Sequence, residues 1–368
     1  MRRLLASLLA MLATLLAAPI ASAGPNDIAI VIGNKGYRGG TPEVKFAVND
    51  MEGFAKAATD VFGVPRDQVR KFPDASLGTF FELFGRPGVP GEPGAGSLLE
   101  RLIQSRSTRI FIFYSGHGVP LISGPKPRSH LLPIDGSPAA VANTAYALDD
   151  LIAAVKSVLA RKAPDGQAII ILDACFSGSS GDGGSLVPAT SGTAFNIDMA
   201  AIASSERITV LAASSDLELA HWDTERRHGL FTDTLLDGLY GEADEKRSGG
   251  NGDRAISLQE LKGFVAARMR ARLLSLHRDR PPTQSPHFTG RATAEIVKLA
   301  ASLPERNPGA READERECQF LLRFGQLAAI ESFMGRSTCV NCPCRTALEV
   351  KRRSLSAQSS TCETDERL

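Results

Sequence analysis

The sequence predicts an α/β fold built on a mainly parallel sheet with helices on both faces. Short, almost wholly apolar runs recur along most of the chain. They alternate with longer segments whose apolar residues fall at helical spacing. Strands apolar on both sides suit a sheet that is covered twice, as parallel sheets are.

The elements follow in order. DIAIVIGN, residues 27–34, ends just past Gly33 and reads as a buried strand. In EVKFAVNDMEGFAKAATDVFG, Val44, Val48, Met51, Phe54, Ala55 and Ala58 keep roughly helical spacing, and Gly63 and Pro65 end the helix. VRKFPD reads as a short strand. FGRPGVPGEPGAGS is dense in Gly and Pro and is a loop. SLLERLIQS is a short helix, and RIFIFYSGHG the second buried strand. HLLPIDG and the helix LDDLIAAVKSVLARK come next. GQAIIILDACFSG is the third buried strand, GSSGDGGSLVPATSGT a long loop and RITVLAASS the fourth strand. HGLFTDTLLDGLYG and SLQELKGFVAARMRARLLSL are helical. PTQSPHFTG closes the domain, and RATAEIVKLA follows. SGGNGDRAISLQE has the look of an EF-hand loop, but Arg254 stands where that loop requires glycine. It reads instead as a loop before a capped helix.

The chain has 368 residues, a net charge of +1 and 43% hydrophobic residues, enough for one large domain and a small one. This charge balance gives no reason to expect a nucleic-acid partner. MRRLLASLLAMLATLLAAPIASA has a basic start at Arg2 and Arg3, an apolar stretch, and a small-residue end at Ala21, Ser22 and Ala23. That is the pattern of a secretory signal peptide removed after Ala23. A retained anchor is the competing reading, but the apolar run is short and ends at a good cleavage site. No later segment is long and apolar enough to span a bilayer. The expectation is an exported protein, periplasmic or secreted, with no membrane span after cleavage. The expected divisions are a signal peptide at 1–23, a main domain at 24–300 and a cysteine-containing extension at 301–368.

Of the six cysteines, Cys318, Cys339, Cys342, Cys344 and Cys362 lie in the extension and Cys175 stands alone. Export makes disulfides plausible in the first group, with one thiol left over. CVNCPC contains a C-x-x-C, which admits redox or zinc readings. No βαβ pattern or histidine cluster accompanies it, so disulfides within a small helical appendage are expected. ECQFLLRFGQLAAIESFMGRS and TALEVKRRS read as two short helices there, and SLSAQSSTCETDERL as a flexible end.

Two strand ends carry reactive residues. His117 lies between Gly116 and Gly118 after one strand, and Cys175 precedes a Gly/Ser loop after another. Ligands of parallel sheets sit beyond the carboxyl ends of the strands. If the two strands are neighbours, imidazole and sulfur face one cleft. The histidine then promotes the thiolate and donates a proton to a leaving amine. The flanking glycines let a substrate backbone pass close. The amides of Gly118 and Cys175 are candidates for holding a developing oxyanion. A lone cysteine is more commonly a structural residue, and that alternative stays open on the dyad alone.

YSGHG followed by DACFSG, each after an apolar strand, resembles the caspase-like cysteine peptidases, in which the His precedes the Cys by roughly 50 residues. DIAIVIGN, FAVND, HLLPID, ITVLAASS, HGLFTDTLLDGLYG and QSPHF fall in that family's order, from Asp27 to about Gly290. The similarity is greatest to metacaspases and bacterial caspase homologues. The caspase context QAC followed by Arg or Gln and Gly is absent. The resemblance implies a three-layer αβα sandwich with a small Cys-rich helical extension, and a cysteine endopeptidase acting on proteins or peptides. His117 and Cys175 take the catalytic positions, and no cofactor is required for the chemistry.

The resemblance also implies a pocket. The S1 site, which holds the residue before the scissile bond (P1), is acidic in metacaspases. Its residues map onto Asp50, Ser115 and Asp173. Two carboxylates suit a P1 Arg or Lys, because a buried charge needs an opposite partner. Other roles are open to them: a strand-end hydrogen bond for Asp173, a helix-surface charge for Asp50. SSDLELAHWDTERRHG corresponds to a substrate-binding loop, and Trp222 is a candidate wall of a neighbouring subsite. Many metacaspases need calcium, and their ligands map onto Asp135, Asp149, Asp150 and Asp182. Asp149 also suits a helix N-cap and Asp135 a turn. Caspases mature by cleavage after the catalytic cysteine, but residues 176–206 contain no Lys or Arg. An enzyme with a basic P1 preference is therefore expected to be active uncut, with any self-cleavage at Arg226, Arg227, Lys246 or Arg247. Two functions compete: the same fold cleaving after Asp or Asn, and a non-catalytic binding module.

Overall fold

The computed structural model describes residues 24–89, 91–121, 128–176, 207–214, 218–276, 282–292, 294–304, 306, 318–327, 330, 334 and 343–365. Residues 1–23, where a signal peptide is expected, lie outside them, as do Asp182, Cys339, Cys342 and the stretch 177–206.

The apolar runs form one six-stranded sheet. Its first members in the chain are β1 (Ile28–Gly33), β2 (Val69–Pro73) and β3 (Arg109–Ser115), with helices α1 (Ala47–Asp60), α2 (Leu77–Phe84) and α3 (Leu98–Leu102) between and after them. Three short strands follow: β4 (Gly118–Leu121), β5 (Arg128–Leu131) and β6 (Tyr146–Ala147), with a one-turn helix α4 (Val141–Thr144) before the last. Then come α5 (Leu148–Lys162), β7 (Gln167–Asp173) and β8 (Ile208–Ala212). A hairpin of β9 (Trp222–Asp223) and β10 (His228–Gly229) leads into α6 (Leu230–Leu239). β11 (Ala255–Ser257), α7 (Leu258–Leu276), β12 (His287–Thr289) and β13 (Glu295–Lys298) complete the main body.

The strand order in the large sheet is β12-β8-β7-β3-β1-β2. All neighbours are parallel except β12, which runs antiparallel to β8. Side chains alternate between the two faces, as the strand repeat demands. Val31, Phe111, Phe113, Ile169 and Leu211 pack against α1, α6 and α7 through Met51, Phe54, Phe231, Leu235, Leu261 and Val265. Ile30, Ile112, Tyr114, Ile170 and Val210 face the other way, against Phe80, Phe84, Leu151, Val155 and Leu159 of α2 and α5. This is the three-layer sandwich expected. The edge strand β2 exposes Arg70 and Lys71, and charged edges discourage pairing with a second chain. Among the described residues no helix is long and apolar enough to cross a membrane.

The loop before the last long helix is resolved as anticipated. Ser257 and Glu260 form a reciprocal capping box, with Glu260 N–H donating to Ser257 Oγ at 3.2 Å and Ser257 N–H to Glu260 Oε2 at 2.9 Å. Some elements differ from expectation. The helix read as starting at His228 begins at Leu230, because His228 and Gly229 pair with β9. Asp149 lies in the first turn of α5 and is not its cap; that position is Ala147.

The extension has a small core of its own: Cys318, Leu321, Ile330, Cys344 and Leu348. A helix over 318–324 (α8) and α9 (Pro343–Asp365) contribute to it. α9 runs through the stretch read as a flexible end, since nothing after Pro343 is a Gly or Pro that would stop it. Cys318 and Cys344 form a disulfide, 26 residues apart. Closing a loop of that length contributes about 3.5 kcal/mol by restricting the unfolded chain. Cys344→Ser is expected to speed proteolysis of the extension markedly and leave the protection of the main sheet unchanged, as read by hydrogen exchange.

Candidate active site

The register of the central strands sets the site. β3 and β7 are direct parallel neighbours, with Ser115 opposite Asp173. His117 and Cys175 each follow two residues later, so both chains leave the sheet side by side. Both residues line one small, partly open cleft, together with Val44, Asp50, Ser115, Asp173 and Trp222. Every residue assigned above to the dyad, the pocket or its wall is therefore in the same cleft.

The glycines around His117 have a reason within the fold. A Cβ at Gly118 would lie 2.7 Å from the carbonyl oxygen of Cys175, and one at Gly116 would collide with the hydroxyls of Tyr114 and Tyr37. The protein's own backbone and phenols already exclude side chains there. The tyrosines in turn hold the His117 backbone. Its N–H donates to Tyr37 Oη at 2.7 Å, and its carbonyl accepts from Tyr114 Oη at 2.8 Å. The imidazole lies 4.6 Å from the Tyr37 ring, centroid to centroid. Its Nε2 is 2.8 Å from the carbonyl of Pro42. A carbonyl can only accept, so Nε2 carries the proton and Nδ1 is the basic nitrogen.

Cys175 is 7% exposed. The Ala220 N–H points at its sulfur from 2.6 Å, and the Ala220 carbonyl lies 3.9 Å away. Burial, helped by the charge of Asp173 and opposed by the Ala220 N–H, pushes the thiol up to about 12. Burial thus favours the thiol over the thiolate.

Asp50 and Asp173 are both nearly inaccessible. Asp50 accepts from Ser115 Oγ at 3.0 Å, from the Gly229 N–H at 3.0 Å, and meets His228 Nδ1 at 2.8 Å. Asp173 accepts from both N–H (3.1 Å) and Oγ1 (2.5 Å) of Thr232 at the start of α6. The two carboxylates converge on the Cα of Gly229, where any Cβ would strike both groups. Burial first, and the charge of Asp50 second, push Asp173 up to about 7. Burial raises Asp50 as well, against the pull of His228. No Lys or Arg is among the residues lining the cleft, and the group beside the pair that can carry positive charge is His228, against Asp50. Trp222 stands over the site with its ring edge toward Phe46, 6.2 Å between centroids.

The calcium candidates do not assemble among the described residues. Asp135 accepts from the Leu77 N–H at the start of α2. Asp149 is exposed and paired with Arg128 at 3.1 Å. No group of three potential ligands occurs among the described residues, so no role is derived for the ion. Of the expected self-cleavage points, Arg226 is buried in ion pairs with Asp233 (2.6 Å) and Asp237 (2.8 Å). Arg227 occupies a tight turn at φ 58°. Lys246 and Arg247 sit exposed in a single short turn.

Sequence reasoning missed Pro42, Tyr37, Ala220, Thr232 and His228. The first and third act through backbone groups, which leave no residue-type signature. His228 directly follows the Arg226–Arg227 pair in the quoted motif, and its value as a signal lay in its separation from the helix it seemed to begin.

No protein of curated function matches the chain. Among solved structures, caspase-1 from Spodoptera frugiperda is 16% identical, covers 77% of this chain and 98% of its own, with a TM-score of 0.45. A protein from Geobacter sulfurreducens is 14% identical, with 75% and 99% covered and a TM-score of 0.45. The caspase-domain profile of peptidase family C14 matches residues 26–289, well over half of the sequence. The chain belongs to the caspase-domain family of peptidases, C14.

Proposed function

We propose that the protein is a cysteine endopeptidase that cuts peptide bonds after Arg or Lys, with His117 and Cys175 as its dyad. The observation that carries this reading is one cleft holding a histidine and a cysteine that follow paired strands, with one buried carboxylate at a strand end and a second on α1.

The chemistry follows from the geometry. The P1 cation enters between Asp50 and Asp173 and supplies a counter-charge. His117, its Nε2–H held by the Pro42 carbonyl, takes the Cys175 proton at Nδ1. Sγ attacks the scissile carbonyl carbon, and its oxygen takes the negative charge, toward the amides of Gly118 and Cys175. His117 then gives the proton to the departing amine, leaving an acyl-enzyme. Water, deprotonated by the same nitrogen, releases the acid and restores the thiol. Export is part of the proposal. The Cys318–Cys344 disulfide supports it, since such bonds persist in oxidising compartments.

The test is a panel of fluorogenic peptides ending in Arg, Lys, Asp or Asn, with and without calcium. Cleavage after Arg and Lys is expected. Cleavage confined to Asp or Asn overturns the pocket. No cleavage by folded protein favours the non-catalytic module. N-terminal sequencing of any fragments is expected to find no cut within 176–206; a cut there contradicts a basic P1 preference.

A further inference from the structure

We propose that His228 is a specificity-determining positioning residue of the S1 pocket, holding Asp50 as an oriented anion for the P1 cation. This rests on the acidic-pocket reading above and adds a residue to it.

Asp50 takes an O–H from Ser115 and an N–H from Gly229, and the ring of His228 brings Nδ1 to 2.8 Å from Oδ1, where it donates in its Nδ1–H form. A carboxyl group surrounded by donors is built to be a carboxylate, because the protonated form would bring a hydrogen of its own to one of them. Two of the three donors are neutral groups fixed by the backbone or by a short side chain. His228 is the donor that combines a hydrogen bond with the capacity to carry charge.

The ring is held for this purpose. His228 pairs with Asp223 in β10–β9, which fixes its backbone. Its Cε1 lies where a Cβ at Gly53 would come within 3.3 Å. Gly53 is on α1, three residues beyond Asp50. The missing side chain leaves room for Leu236 Cδ1 and the imidazole together, and the ring seated there has Nδ1 against the carboxylate on the same helix. With its side chain 18% exposed against 2% for Asp50, His228 stands on the outer side of the pair. It supports the pocket from behind and leaves Gly229 between the carboxylates to admit the substrate.

Asparagine is the informative replacement, since its amide N–H lies close to where histidine carries Nδ1. The experiment compares matched peptides with arginine or citrulline at P1; citrulline keeps the shape and loses the charge. His228→Ala is expected to lower the arginine-to-citrulline ratio of kcat/KM by about tenfold or more, the worth of a buried hydrogen bond to a charged group. The loss should fall mainly on KM for the arginine peptide. His228→Asn should recover most of the ratio. Equal losses on both peptides, or no recovery in His228→Asn, mean a purely structural histidine and overturn the inference. An unchanged ratio in His228→Ala, with wild type still preferring arginine, overturns it while the acidic pocket stands. A wild type that does not prefer arginine to citrulline removes the pocket and this inference together.

Discussion

Cys175→Ala is expected to lower kcat/KM toward Arg- and Lys-terminated peptides by at least about a thousandfold. The fold should remain, because the sulfur sits at the rim of an apolar cluster that tolerates a smaller neighbour. Far-UV circular dichroism and the melting curve check that point. His117→Ala should cost a similar factor, and the double variant little more. Residues that act as one unit are grossly non-additive. Additive losses would instead mean that the two side chains do separate jobs, and the dyad would have to be abandoned.

The second large effect concerns Asp173. Asp173→Asn keeps the shape of the side chain and an acceptor for Thr232, and removes the charge. The kcat/KM for arginine peptides is expected to fall by about a hundredfold or more, the consequence of an unpaired buried charge in the complex. The citrulline peptide should suffer much less. A pH dependence goes with it. Burial and the neighbouring Asp50 set the carboxyl near 7, and kcat/KM reports the free enzyme. The arginine-to-citrulline ratio in wild type should therefore drop as pH falls through about 7, and the Asn variant should be flat. Taking the ratio cancels the titration of the dyad.

Stability moves in the opposite sense. The folded value lies above the unfolded 3.8, so the native state holds the proton more tightly. Between about pH 4 and pH 7 the unfolded chain binds fewer protons, and stability falls as pH rises. The Asn variant should lose Asp173's share of this slope, while Glu242, raised by burial to about 8, keeps its own. A melting-temperature difference between wild type and the Asn variant that stays constant over the same range would contradict the burial argument.

Much of this was legible in the sequence, for identifiable reasons. Long apolar runs such as RIFIFYS and AIIILD announce buried parallel strands, and their ends announce the cleft. The adjacency of β3 and β7 is another matter. Strand order in a parallel sheet is decided by packing across the whole domain, and no local pattern states it. Short antiparallel pieces were missed too: Gly118–Leu121 and Arg128–Leu131 are too brief for a period of two to stand out. The acidic pocket came from motif resemblance alone. Its third side, His228, needed the hairpin that separates it from α6. The Pro42 carbonyl needed coordinates, because every residue has one.

The Ala220 contact on the sulfur bears on durability. A thiol in an oxidising compartment faces oxidants and disulfides whenever it is idle, and the thiolate is its reactive form. Here burial, with the charge of Asp173 adding to it, holds Cys175 toward the thiol, and the Ala220 N–H covers the sulfur. On the function proposed above, a P1 cation beside Asp173 would offset part of that effect, and the proposed nucleophile would be best sheltered from oxidation and alkylation between turnovers.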